Sequence, residues 1–330
     1  MHTTRRRRTS ARVRRRRAVV AAAGLTTLIA AGVAVSRWGG VPLPVALERC
    51  TATVKDETTS LSTEQTAHAA TIAAVGLRRG LAERAVTIAL ATAMQESKLE
   101  NLEHGDHDSV GLFQQRPSQG WGTVEQIRDP VYAAGKFYDA LVKVRSYAEL
   151  PLTEAAQRVQ RSGYPDAYAE HEDEATILSA ALTGRAGADL SCRVRADDVP
   201  AESMGRSGLT PRAAALRADV ERSFGRQKLG GFAPGGLSTG HVEGSAHYDG
   251  RAMDIFFRPV TKANKRAGWA MAHYLVAHAE ALDIATVIFD GRIWTVGQSS
   301  RGWRDYRHPS GRTDNPVLMH RDHVHVDVLG

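Results

Sequence analysis

Four stretches in the first half of the chain repeat apolar residues at the three- and four-residue intervals of an amphipathic helix. They cover residues 63–80, 82–96, 127–145 and 152–161. No strand-rich run separates them. This pattern predicts an all-α domain, to which we assign residues 48–192.

The pattern changes after that region. Residues 193–209 contain Asp-Asp-Val-Pro and Ser-Gly-Leu runs, which predict a linker. Thr210 and Pro211 then stand in the order of an N-cap and a first helical residue. We therefore expect a second domain over residues 210–330 that opens with a helix.

The end of the chain alternates in a different way. Val324 and Val326 are interleaved with His323, His325 and Asp327, a two-residue period. The alternation predicts a strand that carries both imidazoles on one face.

An uncharged, apolar run covers residues 18–36, about the length needed to cross a bilayer. Arginines precede it, which favours a cytoplasmic N-terminus and an exported body. We expect a basic cytoplasmic tail at residues 1–17 and a signal-anchor transmembrane helix at 18–37. The alternative is a cleaved signal peptide, with small residues near 31–36 as the cleavage region and a secreted product.

The formal net charge of +7 resembles that of a nucleic-acid-binding protein, but its distribution argues otherwise. Nine arginines precede residue 18, and removing them from 43 basic residues leaves 34 against 36 acidic ones. The body is nearly neutral, so no nucleic-acid partner is expected.

Cys50 and Cys192 are the two cysteines of the chain. An oxidising compartment outside the cytoplasm would let them pair. A disulfide between them would join the start of the first domain to its end, whereas the alternative is two unrelated buried thiols.

Metal-ligating residues are concentrated in the second half. His247 and Asp254 flank Gly250, which suggests a turn that brings them together, and His325 lies on the predicted final strand. Two imidazoles and one carboxylate are the ligand set of an open catalytic zinc site, whose fourth position holds water.

The same residues resemble a known family. The pattern Ser-x-His-x-x-Gly-x-Ala-x-Asp over residues 245–254, followed by His-x-His at 323–325, is similar to the LAS-type metallopeptidases, which include D-Ala-D-Ala carboxypeptidases, dipeptidases and murein endopeptidases. The resemblance covers roughly residues 210–330 and implies an α+β fold. It also implies one Zn²⁺ per chain, bound by His247, Asp254 and His325.

The acid/base of that site is less directly indicated. Many members of the family carry Glu three residues before the last histidine, where this chain has Asp322. Murein endopeptidases have histidines two and five residues before it, which correspond to His323 and His320. The resemblance implies that one of these histidines acts as base or transition-state donor and that Asp322 orients it.

Glu96 stands out in the helical region because it ends an apolar helix. A partly buried carboxylic acid favours its neutral form and can protonate a glycosidic oxygen. With Ser97 and the later Gly-Leu-Phe-Gln-Gln segment at 111–115, the region resembles lysozyme-like lytic transglycosylases. That resemblance implies that Glu96 is the catalytic acid and that Gln114 or Gln115 binds sugar. The segment departs from the family at Phe113, where Met is usual, and in lacking Asn after Tyr168.

Together these features predict a multi-domain protein with a transmembrane anchor, an all-α lysozyme-like domain and an α+β LAS-type domain. The expected function is that of a membrane-anchored, extracytoplasmic peptidoglycan hydrolase that cleaves cell-wall peptides and also glycan strands. Arg251 and Arg292 are candidates for holding a substrate carboxylate. The alternative is a catalytically inactive membrane-anchored scaffold that binds the cell wall, and metal buffering is a further class.

Overall fold

A small antiparallel sheet underlies the helices of the first half. The structure is a computed structural model, and it describes residues 48–164, 166–196 and 198–330. Strands β1 (Arg49–Val54), β2 (Glu57–Leu61) and β3 (Ala188–Arg193) form a sheet in the order β2-β1-β3. Residues 48–330 belong to one compact unit.

Among the described residues, six helices lie between β2 and β3. They are α1 (Thr63–Arg78), α2 (Glu83–Ser97), α3 (Val124–Ile127), α4 (Pro130–Leu141), α5 (Leu152–Gln160) and α6 (Glu172–Leu182), with 3₁₀ turns at Pro117–Gln119 and Ala167–His171. The helix expected at 127–145 is interrupted, because Asp129 caps α4 and Pro130 lacks the N–H that a continuous helix needs.

The prediction of an all-α, lysozyme-like first domain is wrong, since this region closes with the three-stranded sheet. Buried and exposed residues alternate in β1, where Cys50 and Ala52 face the core. Its partner β3 follows more than a hundred residues later. Short strands paired across such a distance carry too weak a local pattern to be recognised.

The predicted disulfide between Cys50 and Cys192 is confirmed. The two residues are directly paired across β1 and β3. The bond closes a loop of 142 residues that contains the six helices. It therefore constrains the unfolded chain over the whole helical region.

The second half packs helices against a larger antiparallel sheet. Its elements are α7 (Pro211–Phe224), β4 (Leu229–Gly230), β5 (Ala252–Phe256), α8 (Lys262–Ala277), β6 (Ile284–Phe289), β7 (Arg292–Thr295), a 3₁₀ turn (Val296–Arg301), β8 (Arg304–Asp305) and β9 (His323–Val328). The strand order is β4-β5-β9-β6-β7-β8. Thr210 forms the expected N-cap of α7.

Helix α8 is shared between the two halves. It packs on β6 and β9 of the larger sheet and also on α1, α6 and β3. Because β9 lies in the middle of that sheet, its backbone is hydrogen-bonded on both sides, by β5 and by β6. The final strand is therefore a rigid support for side chains.

The expectation of a single-pass membrane protein is corrected. Among helices of the described residues, none is long and apolar enough to cross a bilayer. The longest, α1 and α8, have 16 residues each, fewer than the roughly 20 that a span requires. The segments predicted as basic tail and anchor, residues 1–37, lie outside the described residues. No described element supports a membrane anchor.

Candidate metal centre

Two neighbouring strands bring the predicted ligands together. Asp254 on β5 is directly opposite His325 on β9, and Phe256 is opposite His323. Residues two apart on a strand share a face, so His323, His325 and Asp254 all face the same side of the sheet. His247 reaches this side from the loop before β5.

The donor atoms of the three predicted ligands form a tight triangle. His247 Nε2 lies 3.0 Å from His325 Nδ1 and 3.4 Å from Asp254 Oδ1, and His325 Nδ1 lies 3.2 Å from Asp254 Oδ1. Donors bound tetrahedrally at 2.0–2.1 Å stand about 3.3–3.4 Å apart. All three residues are buried. The triangle therefore suits one divalent cation of the size of zinc.

Each imidazole is held through its other nitrogen. His247 Nδ1 lies 2.6 Å from the carbonyl oxygen of Gly231, and His325 Nε2 lies 3.3 Å from Asp327 Oδ2. With a cation bound, such contacts would fix the tautomer and leave the inner nitrogen as an electron-pair donor. Gly231 has a φ of +78°, and a Cβ there would stand 2.4 Å from the His247 ring. Only glycine suits this approach.

His241 was missed by the sequence analysis and belongs to the same cluster. Its ring stacks on that of His247 with centroids 3.8 Å apart. Ligand atoms of His241, His247 and Asp254 all lie within 4.8 Å of one another. His241 is thus a further donor beside the predicted three. It lies in an irregular loop, where no periodicity relates it to the strands.

The charges in the cluster depend on one another. Burial raises the pKa of Asp254, but the hydrogen bonds from His247 and His325 outweigh it and hold that pKa well below its usual range. Burial lowers the pKa of His325, but the hydrogen bonds to Asp254 and Asp327 raise it to about 9. Without a cation, a proton on His325 neutralises the buried carboxylate.

Next to the triangle, three side chains form a hydrogen-bonded chain. His323 Nδ1 lies 2.7 Å from Asp322 Oδ1, and Arg258 Nε donates to Asp322 Oδ2 at 2.5 Å. His323 Nε2 points inward, 3.8 Å from Asp254 Oδ1. Arg258 was not identified from the sequence. The arrangement leaves Nε2 of His323 free to exchange a proton at the centre.

His320 borders the cluster from the other side. Its ring lies 4.7 Å from that of His323 and 5.7 Å from that of His325, centroid to centroid. Burial, with the charges of His325 and His323, lowers the pKa of His320 to about 2. Its Nδ1 is buried and has no hydrogen-bond partner among the described residues. His320 is therefore a neutral imidazole.

Arg251 is occupied by structural contacts. One terminal nitrogen donates to the carbonyl of Val328 at 3.1 Å, and the other lies 3.0 Å from Asp249. It ties the start of β5 to the end of β9. Arg292 lies on β7, at a separate cavity described below.

Glu96 has a different setting. It is half-buried near the end of α2, where Tyr168 donates a hydrogen bond to it at 2.6 Å. Ser97 donates to the carbonyl of Leu112, which joins the helix end to the 111–115 segment. Gln115 is buried and bonds to Ala133 O, so it is turned into the core.

Gln114 is less buried than its neighbour. It adopts a φ of +46°, and its amide donates to the carbonyl of Gly111. Neither glutamine forms a hydrogen bond to Glu96 among the described contacts. The three residues expected to act together are therefore held by separate partners.

Comparison with known proteins gives a partial match. The family model described as VldE, C-terminal domain, matches residues 205–317, about a third of the chain. The matched segment includes His241, His247 and Asp254 and ends before β9. No curated protein matches the chain significantly. What the chain resembles over its second half is thus the C-terminal domain of VldE.

Proposed function

We propose that this protein is a zinc-dependent hydrolase that cleaves the peptides of peptidoglycan. The observation that carries the proposal is the buried triangle of His247, Asp254 and His325, whose donor separations suit one zinc ion. The resemblance of the 245–254 and 323–325 motifs to LAS-type metallopeptidases supports the choice of substrate.

The ligand geometry determines what a bound ion would contribute. Zinc held by His247, Asp254 and His325 would supply a Lewis acid and a water of lowered pKa. The chain contributes rigidity, because β9 is paired on both sides and both imidazoles are held by outer partners. His241, stacked on His247, offers a further donor at one side of the centre.

His323 is the group that we propose to move protons. Asp322 accepts from its Nδ1, which leaves Nε2 to take a proton from the attacking water and give it to the leaving amine. Arg258 holds Asp322 from the far side. Asp322 and Arg258 are positioning residues, since they act through His323.

His320 has a complementary role in the proposal. As a neutral imidazole with an unpaired buried nitrogen, it can donate one hydrogen bond to an oxygen that gains negative charge. We do not propose glycan cleavage by Glu96, because the described residues do not form the lysozyme-like domain on which that role depended. The catalytically inactive cell-wall-binding protein is the competing function.

The test is mass spectrometry of soluble products released from purified peptidoglycan by the full chain. We expect cleaved stem or cross-link peptides from the zinc-loaded protein and none after chelation. His323→Ala should slow release about 10²- to 10⁴-fold while keeping one zinc per chain. Glu96→Gln is the matched control and should release peptides at the original rate.

Two outcomes would overturn the proposal. Binding to peptidoglycan without any released product would favour the inactive binding protein. Equal release before and after chelation would show that the metal centre does not act in cleavage.

A further inference from the structure

We propose a second binding site, for an anionic saccharide, in a cavity of about 840 Å³ between the two halves of the molecule. The loop from α6 to β3, the start of α8, β7 and Trp303 line it. None of the metal-centre residues does. The site goes beyond the proposed hydrolase function and does not depend on it.

Positive charge dominates the cavity lining. Its cationic residues are Arg185, Lys262, Lys265, Arg266 and Arg292. Asp189 is the one acidic residue of the lining, and it lies 3.3 Å from Nε2 of buried His273. Such a concentration of one sign raises the local concentration of an oppositely charged ligand.

These cations are only partly neutralised. Glu83 is shared by Arg185 and Arg266, at 3.2 and 2.8 Å, so one carboxylate faces two guanidinium groups. Lys265 pairs with Asp290 at 2.6 Å, and Arg292 pairs with Asp305 at 3.4 Å. Lys262 forms no ion pair among the described residues. The cations Arg185, Lys265 and Arg266 are 40–50% exposed, although the carboxylates of Glu83 and Asp290 are 22% and 16% exposed. A ligand anion can therefore reach these cations from the solvent side and compete for them.

The position of three cations on α8 strengthens the argument. Lys262, Lys265 and Arg266 lie in its first two turns, and the first turn has no acidic residue. The N-terminal end of a helix carries partial positive charge, so cations there are unfavourable unless an anion is near. Asp290 and Glu83 offset this for Lys265 and Arg266. Lys262 lies in the first turn and has no such partner among the described residues, so a bound anion would stabilise it.

Two indoles supply the aromatic part of the cavity lining. Trp269 is half-buried and Trp303 is buried, with ring centroids 5.2 Å apart at an interplanar angle of 78°. Trp303 Nε1 donates to the carbonyl of Leu190, which fixes its ring. Rigid aromatic surfaces beside charged groups suit a ligand with both a flat apolar face and an anionic group.

Arg292 connects the cations to the indoles. One of its terminal nitrogens donates to the carbonyl of Trp303 at 2.8 Å, while its Nε is buried without a hydrogen-bond partner. The volume lies within the range of small-ligand pockets, about 300–1,000 Å³. A short acidic oligosaccharide meets these requirements, with either carboxylates or phosphates as its anionic groups.

The experiment is a titration of the chelator-treated full chain, followed by tryptophan fluorescence and calorimetry. The probes are trigalacturonic acid for carboxylates, glucose 6-phosphate for phosphate, inorganic phosphate for charge alone and chitotriose as the neutral sugar. We expect an acidic saccharide to bind at least tenfold more tightly than chitotriose and inorganic phosphate, and to weaken as salt is added. Which acidic saccharide binds better identifies the anionic group.

Lys262→Glu is the decisive variant, because this exposed side chain can be changed without breaking an ion pair. It should weaken acidic-saccharide binding at least tenfold, while Lys143→Glu, an exposed lysine outside the cavity, should leave it unchanged. Equal affinity for chitotriose, no effect of Lys262→Glu, or no binding of either acidic saccharide would overturn the proposal. Because no hydrolysis is measured, these outcomes leave the proposed hydrolase function unaffected.

Discussion

Asp254 and Glu96 are both carboxylates for which the sequence predicts a catalytic or metal-binding role. In the fold, the two differ in burial and in the number of side chains that contact them. Asp254 lies on a strand of the larger sheet, is buried and has ring nitrogens of His247, His323 and His325 within 3.8 Å. Glu96 lies at a helix end, is half-exposed and accepts one hydrogen bond from Tyr168.

The difference lies in how many independent elements meet at each acid. The loop before β5, β5 itself and β9 all contribute to the Asp254 cluster, and outer contacts hold each imidazole. At Glu96, the neighbouring 111–115 segment is attached through Ser97 rather than through the acid. When several elements contribute side chains to one site, those side chains are held in the fixed geometry that catalysis needs. An acid with one hydrogen-bond partner, such as Glu96, is compatible with a structural role.

The largest effect that separates the two regions should come from removing a ligand. Asp254→Ala should lower zinc affinity more than about 100-fold, since even outer partners of ligands contribute 10- to 100-fold. Calorimetric zinc titration measures it, and Glu96→Ala is the control, with unchanged affinity. An equal loss of zinc affinity in both variants would contradict the assignment of Asp254, and not Glu96, as a metal ligand.

The next effect concerns the outer partners of the centre. Asp322→Asn keeps the shape but removes the charge opposite His323, so kcat for peptide release should fall about 10- to 100-fold. KM and zinc content should not change, as measured by steady-state kinetics and elemental analysis. A fall in zinc content instead would assign Asp322 to metal binding.

A smaller effect is expected in the pH dependence of zinc affinity, because zinc binding should release a proton from His325. The raised pKa of His325, about 9, means that the ring is protonated in the metal-free protein at pH 7, and a cation must displace that proton. Zinc affinity should therefore rise about tenfold per pH unit between pH 7 and 9 and level off above. Calorimetry in two buffers of different ionisation enthalpy counts the protons, and a count near zero would contradict the expectation.

The smallest effect is expected at Glu96. Tyr168→Phe removes the hydroxyl that donates to Glu96, whose half-exposed carboxylate can turn to water. The free energy of unfolding should fall by about 0.5–1.5 kcal/mol, measured in urea. Peptide release should be unchanged, and a loss of it would place Glu96 in the same machinery as Asp254.

Several features were readable from the sequence because their signals are local. The apolar period located α1, α2 and α5 to within two residues, and the Thr210-Pro211 pair marked the start of α7. The alternation of valine and histidine predicted β9. The disulfide was predicted from the two cysteines together with the expectation of an oxidising compartment, and the structure contains it.

Other features needed the folded chain. The three-stranded sheet pairs residues more than a hundred positions apart, and the all-α expectation failed for that reason. His241 and Arg258 join the centre through ring stacking and through Asp322, which no spacing in the sequence records. The predicted membrane anchor found no support in the described helices.

The sequence by itself determined the kinds of donors available and the strand face that carries His323 and His325, because side-chain direction on a strand has a period of two. Only the tertiary structure decided that Asp254 pairs with His325, that His247 turns Nε2 inward and that five cations border one cavity. These arrangements depend on the order and register of the strands and on the packing of α8 between the two halves. Strand order and helix packing are determined by the burial of whole elements, so the neighbouring residues in the sequence do not predict them.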